Sequence, residues 1–454
     1  KTENGTPMYY YGGDHGENIH DGNFCVDGLV YPDRTPHTGL LEYKNVYRPA
    51  RVVSYDLDSG ELILHNYMDF DDLNNYVDIF YEMTQDGITV EKGKLVNVVA
   101  APHSDAVVEL KLQVPSTGKV YLKLIYRLKK QMPLLEPGHE LGFDEIKLAN
   151  EDDRNRQAVK WLEQEKEVGA IDVKENERQV VLQANDFTYV FDKRTGLFED
   201  MQFAGRSYID HPMELNIWRA PTDNDMYIKK EWKKAHYDAA YTRAYRIEVL
   251  QNKHGVFIME HVAVLADTVQ KILDVEMTWK INEDGKIEAV IEAVKDREFP
   301  ELPRFGIRMF LNKKMNEVTY FGMGPQESYR DKHQASCHGL FRSKVAQMHE
   351  DYIRPQENGS HYDCDYVEIT SGQYGIAAVS NDSFSFNVSV YTQEELERAS
   401  HNYELEESDS TVFCMDYAMN GIGSNSCGPD VLDKYRFAEE AFRFQFELIP
   451  FVKG

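Results

Sequence analysis

The stretch "QVVLQANDFTYVFDKRTGLFEDMQFAG", residues 179–205, alternates apolar and polar positions on either side of a Lys-Arg-Thr-Gly turn. A period of two is that of a half-buried strand, and two such runs around a Gly-containing turn predict a β-hairpin. Toward the C-terminus, "AYRIEVLQN", "GVFIMEHVAVLA", "KILDVEMTWKIN", "GKIEAVIEAVK", "RFGIRMFLN", "FSFNVSVYT" and "FRFQFELIP" continue the β-rich texture without a second linker. One large antiparallel β-sandwich over 165–454 accounts for them. Within it, the strong helical candidate is "TQEELERASH" (392–401), with Thr392 as N-cap and Glu395 at N3.

Toward the N-terminus a second β block begins near Tyr47. "RVVSYD", "GELILHNYM", "VDIFYEMTQ", "KLVNVVAAP", "AVVELKLQV" and "VYLKLIYRL" are short runs separated by Asp, Gly and Pro. A spacing of roughly 10 residues is that of an all-β sandwich. This block occupies 49–150, and the charge-rich run after it, 151–164, reads as a solvated linker or helix. The chain is mainly β, with enough apolar and aromatic content for sizeable cores (42% and 12%).

A net charge of −27 speaks against nucleic acid or an anionic membrane as partner, since both are polyanions. No run of about 18 apolar residues is present to span a bilayer. Five cysteines (Cys25, Cys337, Cys364, Cys414, Cys427) without zinc spacing point to a reducing compartment, the cytoplasm. The chain opens "KTENGTPM", without an initiator Met or signal peptide, and reads as part of something longer.

Residues 9–37, "YYYGGDHGENIHDGNFCVDGLVYPDRTPH", are too rich in glycine for a strand and too apolar in places for a linker. Asp14, His15, Glu17, His20, Asp21 and Asp27 there could converge on a hard cation or act as acid–base groups. Equally, they could satisfy the loop's own backbone through Asx turns. "APTDND" (220–225) is either an acidic metal-binding pair or a capped turn. In "YFGMGPQESYRD" (320–331) the bland reading is an ion pair between Glu327 and Arg330. "RPQENGSHYDCDYVE" (354–368) joins a turn to polar and aromatic residues. Gly421, Gly423 and Gly428 mark a loop whose backbone approaches something closely. No Ser–His–Asp, Cys–His or phosphate-loop arrangement is supported.

Taken in order, "YGGDHGENIHDGNFCVDGLVYPDRTPH", "EPGHELGF" (136–143), "RAPTDNDM" (219–226), "FGMGPQESYRDK" (321–332), "RPQENGSHYDCDY" (354–366) and "GIGSNSCGP" (421–429) resemble the C-terminal part of the family 2 β-galactosidases. The resemblance covers nearly the whole chain. It implies that residues 1–48 are the tail of a (β/α)8 barrel, 49–150 an immunoglobulin-like β-sandwich, and 165–454 a galactose mutarotase-like supersandwich. It implies a retaining hydrolysis of terminal β-D-galactosides, which needs two carboxyl groups about 5–5.5 Å apart. Both glutamates lie on barrel strands upstream of this chain, and Glu3, Glu17 and Glu42 do not match their motifs.

Several site residues follow from the same resemblance. The 9–37 loop is a loop at the C-terminal end of a barrel strand, where such sites are built, before a last strand around "GLVYPD". Sodium falls on the Phe24 carbonyl and on Asp27, where the family has Asn. A second magnesium falls near His20, where the family again has Asn. Asp21, Asn425 and Cys427 fall on the sugar side, and Cys427 replaces a stacking tryptophan. That cysteine either lines the entrance or is a buried small hydrophobe holding its turn. β-Galactoside sugars, the upstream domains and a second copy of the chain are the expected partners. Since one or two strands cannot close a barrel, residues 1–48 are expected to be weakly anchored. The competing reading is a non-catalytic β-sandwich for carbohydrate binding or subunit assembly.

Overall fold

The computed structural model describes residues 1–3, 5–26, 28–164 and 170–453. The hairpin predicted around 193–196 forms: Phe187–Asp192 pairs antiparallel with Leu197–Phe203. Its turn closes through Gly196 at φ +76°, a left-handed conformation that suits glycine. These two strands belong to a five-stranded sheet that packs on a 12-stranded sheet. The path of the larger sheet runs from Ile209–Asn216 to an edge strand, Tyr241–Asn252. Phe191, Phe198, Trp279, Phe446 and their neighbours fill the interior between the two sheets.

Residues 50–148 form a smaller unit of the same logic. A three-stranded sheet (Ala50–Asp56, Glu61–Asn66, Asp105–Glu109) faces a four-stranded one (Val77–Gln85, Ile88–Leu95, Val120–Leu128, Glu140–Leu148) over a separate core. The strand Val120–Leu128 is buried on both faces. Leu122, Leu124 and Tyr126 point into the small core, while Tyr121 joins a third cluster with Phe321, Tyr366 and Phe451 of the large unit. Polar contacts close the same seam, including Lys119–Asp365 at 2.6 Å and His338 held between Glu145 and Asp363.

The charged run after residue 150 is a helix, Arg156–Glu163, whose first amides are capped by the Asn155 side chain. It is docked rather than solvated. Ala158 and Trp161 enter the third cluster, and the Trp161 indole donates to Glu368 at 3.1 Å. The Thr392-capped helix forms over Gln393–Arg398, with Thr392 Oγ1 accepting from the Glu395 amide. A further helix, Ile228–Lys234, was not anticipated. Its buried face is built on Trp232, whose indole donates to the Glu301 carbonyl.

Residues 1–48 behave differently from everything after them. No described residue before Ala50 enters any of the three cores. Ile19, Phe24, Leu29, Val30, Tyr43, Val46 and Tyr47 stand exposed. The strand expected around "GLVYPD" is reduced to a single bridge between Val30 and Pro36, followed by the helix Thr38–Val46. Even so, polar side chains tie the segment to the large sandwich.

Candidate functional site

The ties converge on a cleft of about 430 Å³ where the N-terminal segment meets the loops of the large sandwich. Such a volume suits a small polar ligand. Asn23 and Thr38 enter from one side, Asp223 and Gln356 from another, and Gly423 and Ser426 from a third.

Glu327 is the hub of the wall. It ion-pairs with Lys332 at 2.5 Å, not with Arg330, whose guanidinium donates instead to the Arg436 carbonyl. Its carboxylate also accepts the Tyr352 hydroxyl at 2.6 Å, the Thr38 hydroxyl at 3.0 Å and the Gly359 amide at 2.8 Å. Burial alone would raise its pKa, but Lys332 and these donors bring it down to about 2. Beside it the Tyr31 hydroxyl donates to Glu350 at 2.5 Å, and burial pushes that phenol far above its ordinary value. Glu42 accepts the amides of Gln334 and Ala335.

"TDND" forms a capped 3-10 turn, Asp223–Asp225, whose Asp225 carboxylate accepts the Thr222 amide at 2.9 Å. Asp225 is thereby committed to structure, and it also pairs with the fully buried Arg219 at 2.7 Å. Asp223 faces the cleft, where Asn23 and Gln356 donate to one of its oxygens at 2.9 and 3.0 Å. The glycine loop is gripped from below. Arg219 donates to the carbonyls of Asn420 and Gly421, and Asp331 accepts the amides of Ile422 and Gly423. Asn224 closes it by donating to the Gly423 carbonyl at 2.7 Å. Close backbone approach, expected from the glycines, is thus real.

In the 9–37 loop the acidic residues mostly serve the loop itself. Asp14 accepts the Tyr11 amide, Glu17 accepts the amides of Gly13 and His15, and Asp14 also pairs with His401 at 2.8 Å. His20 Nδ1 accepts the Gly22 amide at 3.1 Å, with its ring lying over Gly13. The Asp21 carbonyl accepts the Phe24 amide to start the 3-10 turn Gly22–Val26, on which Phe24 is exposed. Asp27 lies outside the described residues. Among the described residues no group of three or more His, Cys, Asp or Glu side chains is arranged to hold a metal. On the glycine loop Asn425 is half-buried and Cys427 exposed, next to the lining residue Ser426.

The sequence pointed to this wall by motif but missed its wiring. "FGMGPQESYRDK" contains both Arg330 and Lys332, and only the folded turn decides which of them reaches Glu327. Arg304 and Asp416 lie outside every motif the sequence offered, and Glu357, although inside "RPQENGSHYDCDY", gave no sign of the arginine it meets. Of the lining carboxylates, Glu327, Glu42 and Asp331 are bound to a lysine or to backbone amides, Asp223 accepts from two side-chain amides, and Glu357 pairs with Arg304 through one oxygen. The cleft is equipped to hold polar groups.

No helix among the described residues is long and apolar enough to cross a membrane. Three family models match in chain order. They are "Glycosyl hydrolases family 2, TIM barrel domain" over residues 1–52, "Beta-galactosidase, domain 4" over 62–149, and "Beta galactosidase small chain" over 183–448. A β-galactosidase of Actinobacillus pleuropneumoniae is 44% identical over 442 residues, covering 97% of this chain and 43% of the relative. One of Staphylococcus xylosus is 34% identical over 451 residues, covering 98% and 44%. The chain therefore spans less than half the length of these curated relatives. Among solved structures, a putative aldose 1-epimerase from Escherichia coli K12 aligns with TM-score 0.32 and 8% identity, covering 63% of this chain and 100% of that one. With its small-chain match extending over more than half of its residues, this chain belongs to the β-galactosidase small-chain family.

Proposed function

We propose that the chain is the C-terminal part of a β-galactosidase that hydrolyses terminal β-D-galactose residues with retention, its two catalytic glutamates being supplied by an upstream barrel. One observation carries the reading. The described residues among 1–48 add nothing to any core and expose a row of apolar side chains, yet polar bonds tie them to the rim of the cleft. A segment so held is the edge of a larger domain whose remaining part covers the apolar face. We divide the chain accordingly into barrel tail (1–48), immunoglobulin-like sandwich (49–150), linker (151–164) and terminal sandwich (165–454).

Sodium is proposed at the Phe24 carbonyl and Asp27, both hard oxygen ligands. His20 fits a second magnesium poorly, because Nδ1 already serves the Gly22 amide and the ring covers Gly13. β-Galactosides, the upstream domains and a second copy are the proposed partners, in the cytoplasm. The test is hydrolysis of an aryl β-galactoside. This chain alone is expected to show none, and co-expression with the upstream half of the protein is expected to restore it. Activity of the isolated chain that disappears on changing a glutamate within residues 1–454 overturns the reading.

A further inference from the structure

Beside the cleft lies a buried charge cluster whose hydrogen bonds are incomplete among the described residues. Arg219 and Arg304 are both fully buried, at 0% exposure. Arg219 pairs with Asp225 at 2.7 Å, and Arg304 pairs with Asp416 at 2.5 Å and with Glu357 at 3.1 Å. Asp225, Glu357 and Asp416 are themselves at most 3% exposed. Two guanidinium groups thus face three carboxylates, which leaves one buried negative charge without a counter-charge inside the cluster. An uncompensated buried charge costs several kcal/mol, so the molecule must neutralise it by some route.

The unmet valences point to the place. Of all the oxygens in this cluster, Glu357 Oε2 has no hydrogen-bond donor, although it is buried. The Thr222 hydroxyl, 4% exposed, likewise lacks a partner, its own amide being taken by Asp225. The Glu357 amide donates to the Ala220 carbonyl at 3.0 Å, which brings the Ala220–Thr222 segment alongside Glu357. Both residues line the cleft. Two orphaned oxygens, one hydroxyl and one carboxylate, with excess negative charge behind them, are ligands for a hard cation.

We infer that the floor of the cleft binds a small monovalent cation, sodium or potassium, between Glu357 Oε2 and Thr222 Oγ1. A single charge balances the cluster. The site is separate from the one proposed at Phe24 and Asp27, and it does not depend on the galactosidase reading. Burial raises the Glu357 pKa against the pull of Arg304 and Arg219, as an uncompensated carboxylate requires. By bracing Glu357 against Arg304, the ion ties the 354–359 turn to the sheet below.

The purified chain is melted in sodium, potassium or N-methylglucamine chloride at matched ionic strength and pH 8. Sodium or potassium is expected to raise Tm saturably over the organic cation, because ligation of the native state stabilises by mass action. Glu357→Gln, which keeps an acceptor for Arg304 but removes the charge, is expected to abolish the gain that remains in an Asp27→Ala background, where the sodium site proposed at Asp27 no longer contributes. In that background Thr222→Val is expected to move the half-saturating concentration up several-fold, and a saturable gain is expected to persist in Asp27→Ala itself. Rubidium soaked into crystals of the unmodified chain is expected to give an anomalous peak within ligand distance of Glu357 Oε2, whether or not the variants fold. Equal Tm in all three salts, a gain that survives Glu357→Gln in the Asp27→Ala background, a gain wholly lost in Asp27→Ala alone, or a water in place of the rubidium peak overturns the inference.

Discussion

His338 and Glu145 meet across the seam between the two β units, with Nδ1 of the histidine 2.7 Å from the carboxylate. On the other side of the ring Nε2 lies 2.9 Å from Asp363, and the ring stacks on Tyr121 at 4.3 Å. A buried imidazole with two carboxylates is a charged imidazolium. Its charge therefore holds the small sandwich to the large one.

This geometry sets a pH dependence. An unfolded histidine titrates near 6.5. Here burial alone would lower that value, but the bonds to Asp363 and Glu145 outweigh it and carry it to about 9. Its stabilisation is complete below pH 6.5 and is lost as pH rises through about 9. The effect is on the order of 3 kcal/mol at most. Asp363 acts at the other end: despite burial, His338 holds its carboxyl well below the usual range, so its share is lost under strong acid. Melting of the unmodified chain from pH 6 to 10 is expected to show a decline that His338→Gln flattens. A parallel decline in the variant would assign the loss to other groups.

Glu327 supplies the second prediction. Glu327→Gln leaves the Lys332 ammonium without its carboxylate and weakens the acceptor for Thr38, Tyr352 and Gly359. Breaking a buried pair from one side costs about 3–5 kcal/mol. Because Thr38 is on the N-terminal segment, the loss includes detachment of residues 1–48, seen as faster proteolytic trimming of that segment. The double change Glu327→Met with Lys332→Met is expected to recover Tm but not protection of the segment. With a folded pKa of about 2, the Glu327 contribution is intact above pH 4.5 and fades as pH falls toward 2. Equal trimming rates in the unmodified and Glu327→Gln chains would sink the tether.

How much of this could be read beforehand differs by element. The hairpin at 187–203 was legible because alternation and a Gly turn are local signals. The Thr392 cap was legible for the same reason. "IKKEWKK" was not, since its one buried face rests on Trp232, its cap position is Tyr227, and its lysines look like solvated charge. Arg156–Glu163 was legible as charged helix or linker but not as docked, because the surface that receives Trp161 is formed by strands some 200 residues later. The site followed the same rule. Loop glycines announced a close backbone approach, whereas the choice of Lys332 over Arg330, and the joining of Arg304 to Asp416 and Glu357, are decided by tertiary placement.

Glu260 carries a third prediction. It is 1% exposed within the large core, its one hydrogen bond comes from the Trp279 indole at 2.8 Å, and Oε2 has no partner. Burial raises its pKa well above the ordinary carboxylate value, so the folded chain keeps it protonated where the unfolded chain ionises. A raised carboxyl pKa makes stability fall as pH climbs above about 4.5, the unfolded value. Glu260→Gln, which is isosteric and cannot ionise, is expected to match the unmodified chain near pH 4 and to exceed it by about 1–2 kcal/mol at pH 8. Denaturant unfolding at both values checks it, and a variant less stable than the unmodified chain at pH 8 would refute it.

Cys427 carries the last. Its exposure excludes the alternative of a small buried hydrophobe wedged in the turn. Cys427 is exposed and adjoins the cleft-lining Ser426, so a tryptophan there is expected to be accommodated at the surface. Surface changes of this kind move stability by less than about 0.5 kcal/mol, so Cys427→Trp is expected to leave Tm nearly unchanged. If the proposed upstream barrel is supplied and the proposed galactosidase reading holds, the added ring is expected to contribute on the order of 1 kcal/mol to sugar binding, by analogy with aromatic pairs. The Michaelis constant for lactose is then expected to fall several-fold, with little change in turnover, because the contact is made equally in ground and transition states. Cys427→Leu controls for bulk without an aromatic face and is expected to leave the constant where it was. If Trp and Leu behave alike in lactose kinetics while both fold normally, the glycine loop does not reach the sugar.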